Sequence, residues 1–194
     1  MKLEAQHLLY AYAQGIFPMA HEDGQIFWYD PDPRAIIPLD HFHVPARLAR
    51  TVRRAPYEIR VNSAFRRVME QCATPAPGRQ ETWISDDLIA LYTELHRMGY
   101  AHSVECWRDG ALAGGLYGVN LNSFFAGESM FSHERDASKV ALVYLVRCLQ
   151  RRNYLLLDIQ FITGHLAQFG AVEISRDSYK RRLAQALQQP NRFC

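Results

Sequence analysis

Two short runs place carboxylates where an apolar pattern would otherwise continue unbroken. Tyr154-Leu155-Leu156-Leu157-Asp158-Ile159-Gln160 is almost wholly apolar until Asp158 and Gln160. Alternation on a strand puts these two on one face, and a carboxylate and an amide buried together are costly unless partnered. They either satisfy a neighbouring loop or project into a cleft, where they would polarise, or take a proton from, an attacking amine. Glu128 stands in Phe124-Phe125-Ala126-Gly127-Glu128-Ser129-Met130-Phe131, one acid among aromatic and sulfur side chains. It would bind an ammonium group in a greasy pocket, or pair with an arginine as acids commonly do. Trp28, in a proline-rich stretch, and Trp83, just before a helix cap, are candidates for a stacking surface. Plain burial of apolar area is their alternative use.

The third chemistry on offer is anion binding. The 194-residue chain carries 22 basic and 20 acidic residues, a net charge of only +2. The average conceals a segment. Arg47 to Arg67 holds seven arginines and one acid, net +6, which leaves −4 for the rest. Nineteen of the 22 basic residues are arginine, whose planar fork pairs bidentately with phosphate. Arg47, Arg50, Arg53 and Arg54 therefore form a candidate footprint for a phosphate backbone, with a solvated helix face as the bland counterpart.

Other chemistries lack their residues. No GxxxxGK[ST] loop, GxSxG elbow or HExxH pair is present, and His41-Phe42-His43 has no further ligands nearby. Four scattered cysteines without a CxxC spacing point to reduced thiols. No apolar run reaches the ~20 residues of a membrane span, and the first residues lack a signal-peptide core. A cytoplasmic protein is expected.

The elements that must position these groups follow from breaks and periodicity. Residues 5–14 read as a helix ending before Gly15. The proline-rich stretch to Pro38 reads as turns and short extended pieces, with a strand at 34–37. Residues 46–54 form a short amphipathic helix with its arginines outward. A strand at 57–61 precedes a helix to Cys72 capped by Asn62 or Ser63, and 74–80 is a loop. Ser85 caps the next helix, with Asp86 and Asp87 at its positive end and Gly99 after it. Strands follow at 102–107, 111–119 and 123–131, the first two joined by an Asp109-Gly110 turn. Asp136 caps a long helix to Arg151. A doubly buried strand ends at Gln160. A short helix, a strand at 172–174 and a helix capped by Ser175 complete the chain.

This order is a mixed α/β arrangement, divided into a small N-terminal domain, 1–56, with the Arg-rich helix, and a catalytic domain, 57–194. From Tyr57 onward it matches GNAT-like acyltransferases, whose splayed sheet makes a V-shaped cleft. Such folds bind coenzyme A pyrophosphate through a glycine-rich turn. The corresponding Phe131-Ser132-His133-Glu134-Arg135-Asp136 has no glycine, which counts against acetyl-coenzyme A as donor.

An ordered set of motifs resembles the leucyl/phenylalanyl-tRNA–protein transferases. It comprises Gln14-Gly15-Ile16-Phe17-Pro18, Trp28-Tyr29-Asp30-Pro31-Asp32-Pro33-Arg34, Glu81-Thr82-Trp83-Ile84, His102-Ser103-Val104-Glu105, Gly114-Gly115-Leu116-Tyr117-Gly118-Val119, Gly127-Glu128-Ser129-Met130-Phe131-Ser132 and Leu157-Asp158-Ile159-Gln160. Tyr29 and Met19 stand where that family commonly has tryptophan. The resemblance implies a cytoplasmic bacterial enzyme that moves leucine or phenylalanine, and methionine less well, from aminoacyl-tRNA to proteins beginning with Arg or Lys. The products are marked for N-end-rule degradation, without metal or coenzyme A. It further implies that Asp158 and Gln160 orient the attacking amine and that Glu128 binds the donor's amino group. Trp28, Trp83, Phe125 and Ser129 would shape the aminoacyl-adenosine pocket, and Arg47, Arg50, Arg53 and Arg54 would bind the tRNA stem. A coenzyme A-dependent N-acyltransferase and a non-catalytic RNA-binding module are the rival readings.

Overall fold

The computed structural model describes residues 3–21, 23–75 and 82–194. In chain order these contain α1 (Ala5–Ala13), β1 (Phe17–Ala20), β2 (Ile26–Tyr29), β3 (Arg34–Ile36), α2 (Ala46–Arg54), β4 (Glu58–Val61), α3 (Phe65–Ala73), α4 (Asp86–Arg97), β5 (Ala101–Arg108), β6 (Ala111–Leu121), β7 (Phe124–Ser132), α5 (Ala137–Arg151), β8 (Leu156–Gln160), α6 (Gly164–Ala167), β9 (Val172–Ile174) and α7 (Arg176–Leu187). A 3-10 turn covers Leu39–His41. Residues 76–80 of the expected loop, and Glu81 of the Trp83 motif, lie outside the described residues.

Alternating apolar residues over 101–132 build an antiparallel meander, β5-β6-β7. Asp109 and Gly110 both take positive φ in its first turn, as a tight hairpin requires. Around this centre the sheet has seven strands in the order β4-β5-β6-β7-β8-β3-β9. β8 returns parallel to β7 after the α5 crossover, and the other neighbours are antiparallel. The parallel pairing covers only Phe124–Ala126 against Leu156–Asp158. Beyond it the strands part, which opens the expected cleft. The sheet takes β3 from before residue 57, so the division expected at residue 56 does not follow an edge of the sheet. β1 and β2 form a separate hairpin.

Helices cover both faces. Leu8 and Tyr12 of α1, Val68 and Met69 of α3, Leu88 and Tyr92 of α4 and Tyr179 and Leu183 of α7 share one core with Tyr117 and Phe124. Leu48 of α2 and the apolar face of α5 share the other with Leu116, Phe125, Leu157 and Ile159. A Cβ at Gly114 would lie 2.6 Å from the Ala137 Cβ, so the missing side chain lets the start of α5 sit on β6. Among the described residues no helix is long and apolar enough to cross a membrane.

Four local expectations are corrected. Neither Asn62 nor Ser63 caps α3; Ala64 holds that position. The Ser63 hydroxyl and the Ala64 N–H donate instead to Glu105, which is fully buried and also receives Ser103 Oγ and Trp107 Nε1. Burying that carboxylate demands donors, and the demand outranks a helix cap. Asp136 precedes α5 in a left-handed conformation and makes no side-chain cap; its carboxylate meets Lys139 at 3.3 Å. Trp28 lies on β2 rather than in a loop. Cys148 and Cys194 are joined in a disulfide, their Cα atoms 6.1 Å apart, within the usual span, while Cys72 and Cys106 are buried and outside that pair.

Candidate functional site

The site forms where β7 and β8 separate. Tyr117 pairs with Ser129 and Gly118 with Gly127, so Glu128 is an extra residue on β7. Such a bulge breaks the alternation. Phe124 and Ala126 face the α1/α4 core and Phe125 the α5 core. After Glu128 the parity is exchanged: Met130 packs toward α5 and Phe131 on the opposite side. The bulge therefore turns Glu128 into the gap between the parting strands.

Gln160 Nε2 donates to Glu128 Oε1 at 2.8 Å, and the Tyr92 hydroxyl donates to Oε2 at 3.4 Å. Behind them Tyr12 and Tyr92 share a short hydrogen bond. Burial is the largest influence on Glu128 and pushes its pKa up to about 8; Asp158 adds to the rise, while Tyr12, Arg34 and Gln160 oppose it. Burial and then the Glu128 charge raise both tyrosines well above their ordinary value, so they remain hydrogen-bonding phenols. Near neutral pH Glu128 is largely an uncharged acid, and an ammonium group beside it would favour its ionised form.

Asp158 does not reach the cleft. It is fully buried and accepts Arg34 Nε at 2.9 Å on one oxygen and Arg34 Nη2 at 2.6 Å on the other. The Tyr179 hydroxyl donates to it at 2.8 Å, and the Gln160 backbone N–H at 2.9 Å. Arg34 is itself buried, between the rings of Phe17 and Tyr179. Burial alone would lower its pKa, but Asp158 outweighs burial and the net shift is upward.

A cavity of about 790 Å³ opens from Glu128. Met130, Leu142, Leu145, Leu157, Ile159 and Leu166 give it a largely apolar wall, and Ser129 lines it as well. Of the other expected pocket residues, Phe125 is fully buried against Phe193. Trp83 is half-buried against the α4 core. Trp28 is 43% exposed. None of these three lines the cavity. Sequence reasoning missed Arg34, Tyr12, Tyr92 and Tyr179; an arginine opening the apolar run Ala35-Ile36-Ile37 was the available signal. It also missed His165 in the cavity wall, whose pKa burial lowers.

Across the 132–136 loop lies a second cavity of about 540 Å³, lined by Arg47, Arg50, Arg54, Arg108 and Arg135 along with Glu134 and Asp136. Arg53, like the other three α2 arginines, is exposed. Arg108 is paired with Glu134. The first amides of α5 are occupied within the chain: Ala137 N–H donates to the Glu134 carbonyl and Ser138 N–H to Ser132 Oγ. Among the described residues no group of three or more His, Cys, Asp or Glu is arranged to hold a metal ion.

Comparison with known proteins gives two family matches. Residues 36–184 match the model described as leucyl/phenylalanyl-tRNA protein transferase, and residues 1–32 match the N-terminal domain of the same description. A leucyl/phenylalanyl-tRNA–protein transferase from Herpetosiphon aurantiacus is 60% identical over 96% of this chain and 96% of its own length. One from Phenylobacterium zucineum is 57% identical over 99% of this chain and 88% of its own. Among solved structures, a ribosomal-protein-alanine N-acetyltransferase from Brucella melitensis is 14% identical with a TM-score of 0.40, covering 64% of this chain and 89% of that one.

Proposed function

Because the chain belongs to the leucyl/phenylalanyl-tRNA protein transferase family, we propose that it moves leucine or phenylalanine, and methionine less well, to proteins whose N-terminal residue is Arg or Lys. Aminoacyl transfer from tRNA to protein is the activity; the choice of donor and acceptor residues is our reading. The modified proteins are thereby marked for N-end-rule degradation in the cytoplasm.

The observation that carries this reading is the apolar cavity lined at one end by Glu128, whose carboxylate Gln160 holds from outside the cavity wall. A large apolar side chain of the donor fills the cavity, burying on the order of 1.5–3 kcal/mol of apolar surface free energy. Glu128 receives the donor's amino group at the cavity's polar end. Gln160, adjacent, orients the ester carbonyl for the acceptor amine. The amine nitrogen bonds to the carbonyl carbon, the carbon–oxygen bond to the ribose breaks, and the released ribose hydroxyl takes the proton. The ester is already activated, so positioning supplies much of the rate. Asp158 is enclosed by Arg34 and Tyr179 and orients Gln160 instead of taking a proton. Trp28 and Trp83 are offered to the terminal adenosine, and Phe125 backs the pocket wall. Arg47, Arg50, Arg53 and Arg54, within residues 1–56, hold the tRNA backbone, while 57–194 supplies most of the transfer site.

The test is transfer of labelled leucine from charged tRNA to peptides that begin with Arg or with Glu. Leucine appears on the Arg peptide only, and Met130→Trp, which fills the cavity, cuts transfer on the order of tenfold or more. Acetyl transfer from acetyl-coenzyme A without leucyl transfer would establish the rival acyltransferase. Tight RNA binding with no transfer, unchanged by Glu128→Ala, would leave only a binding module.

A further inference from the structure

We propose that Arg34 is a positioning residue for the transfer reaction, setting the geometry of Gln160 through Asp158. The inference rests on the reading above that Gln160 and Glu128 handle the reacting groups.

Gln160 has a φ of 62°, in the left-handed region, which a side chain other than glycine's does not favour. Besides its pairing with Ala35 of β3, two side-chain contacts hold it there. Its side-chain amide donates to Glu128 Oε1, and its backbone N–H donates to Asp158 Oδ1. The second contact needs the Asp158 carboxylate correctly turned, and Arg34 turns it. Its Nε and Nη2 meet the two carboxylate oxygens as a fork, and Tyr179 adds a third donor.

The remaining nitrogen of the guanidinium fixes Arg34 itself. Nη1 donates to the Gly15 carbonyl at 2.9 Å, and the rings of Phe17 and Tyr179 lie 4.7 and 4.4 Å from its carbon. Gly15 has no room for a side chain on this flank: an added Cβ would lie 2.8 Å from the Tyr179 ring. The guanidinium thus ties the α1–β1 connection to β8 and α7. It does so between the two family-matched segments, 1–32 and 36–184, in neither of which Arg34 falls.

Arg34 has no exposed surface and does not line the cavity, so its influence passes through Asp158. A lysine could keep the charge but supplies a point where the site uses a fork. It would hold one carboxylate oxygen and release either the other oxygen or the Gly15 carbonyl. Gln160 would then be free to leave its left-handed conformation, and an ångström of misplacement at a reacting centre is worth about a hundredfold in rate.

The experiment compares Arg34→Lys with the unaltered full chain in steady-state transfer from leucyl-tRNA to an Arg-starting peptide. Turnover falls by roughly ten- to a hundredfold, and KM for leucyl-tRNA stays within about twofold because the tRNA contacts are untouched. In the amide NMR spectrum the Gln160 resonances move while those of α2 stay in place. A folded Arg34→Lys enzyme with unchanged turnover overturns the proposal, as does a loss that only tracks the unfolded fraction. If Arg34→Lys does not fold, Tyr179→Phe decides: it removes one donor to Asp158 and keeps the ring beneath Arg34. Reduced turnover at unchanged KM, with a moved Gln160 resonance, supports the proposal; unchanged turnover refutes it. Glu128→Ala and Gln160→Ala test the reading beneath. If both keep full turnover, that reading fails; if they lose it while Arg34→Lys does not, only the role of Arg34 fails.

Discussion

Arg34 and the arginines of α2 are the same residue type in opposite surroundings. Arg34 has every guanidinium nitrogen donating within the chain and no exposure. Arg47, Arg50, Arg53 and Arg54 stand in water along one short helix. A buried guanidinium is tolerated only with its charge matched and its donors used, and it then fixes geometry. An exposed one contributes little to stability, but it keeps its charge available for an anionic partner. The contrast separates an arginine that organises a site from arginines that recruit to it.

The largest effect should come from breaking the buried pair. Arg34→Met leaves Asp158 as an uncompensated buried charge and should cost about 3–5 kcal/mol, whereas Arg50→Met should stay within about 0.5 kcal/mol. Urea unfolding measures both, and equal losses would erase the distinction.

For tRNA binding the ranking reverses. Replacing Arg47, Arg50, Arg53 and Arg54 together by glutamine should lower the salt dependence of tRNA binding by a slope of about 3, the worth of four phosphate contacts. Transfer from a minimal aminoacyl-adenosine donor should be spared. Equal impairment with both donors would contradict the assignment of α2 to the tRNA.

A smaller effect concerns Glu128, the half-buried acid between these extremes. Its native pKa of about 8 lies above the ordinary 4.5, so between those values the native state keeps a proton that the unfolded chain releases. Stability therefore falls as pH rises through that window. Glu128→Gln should flatten the fall, read as the urea midpoint against pH; parallel curves for the two proteins would refute it.

Local signals were legible where a single segment decides them. Ser85 and Ser175 cap α4 and α7 as their positions suggest, and Asp109-Gly110 turns the hairpin. Ser63 misled because its hydroxyl is claimed by Glu105, 42 residues away in sequence. The arginine face of α2 was visible at once, since exposure needs no partner. The Glu128 bulge was not, because a bulge is defined by the strand opposite. Cys148 and Cys194, 46 residues apart, gave no spacing cue for the same reason.

The sequence by itself determined the order of helices and strands from residue 34 onward, the family and the place of the charged helix, all of which rest on local pattern and ordered motifs. Only the tertiary structure decided what Asp158 does. Alternation correctly put it on the face of Gln160, but the partner that encloses it is 124 residues distant. Whether a buried carboxylate is a free base or a held one depends on which cation lies beside it, and that is fixed by how distant strands meet.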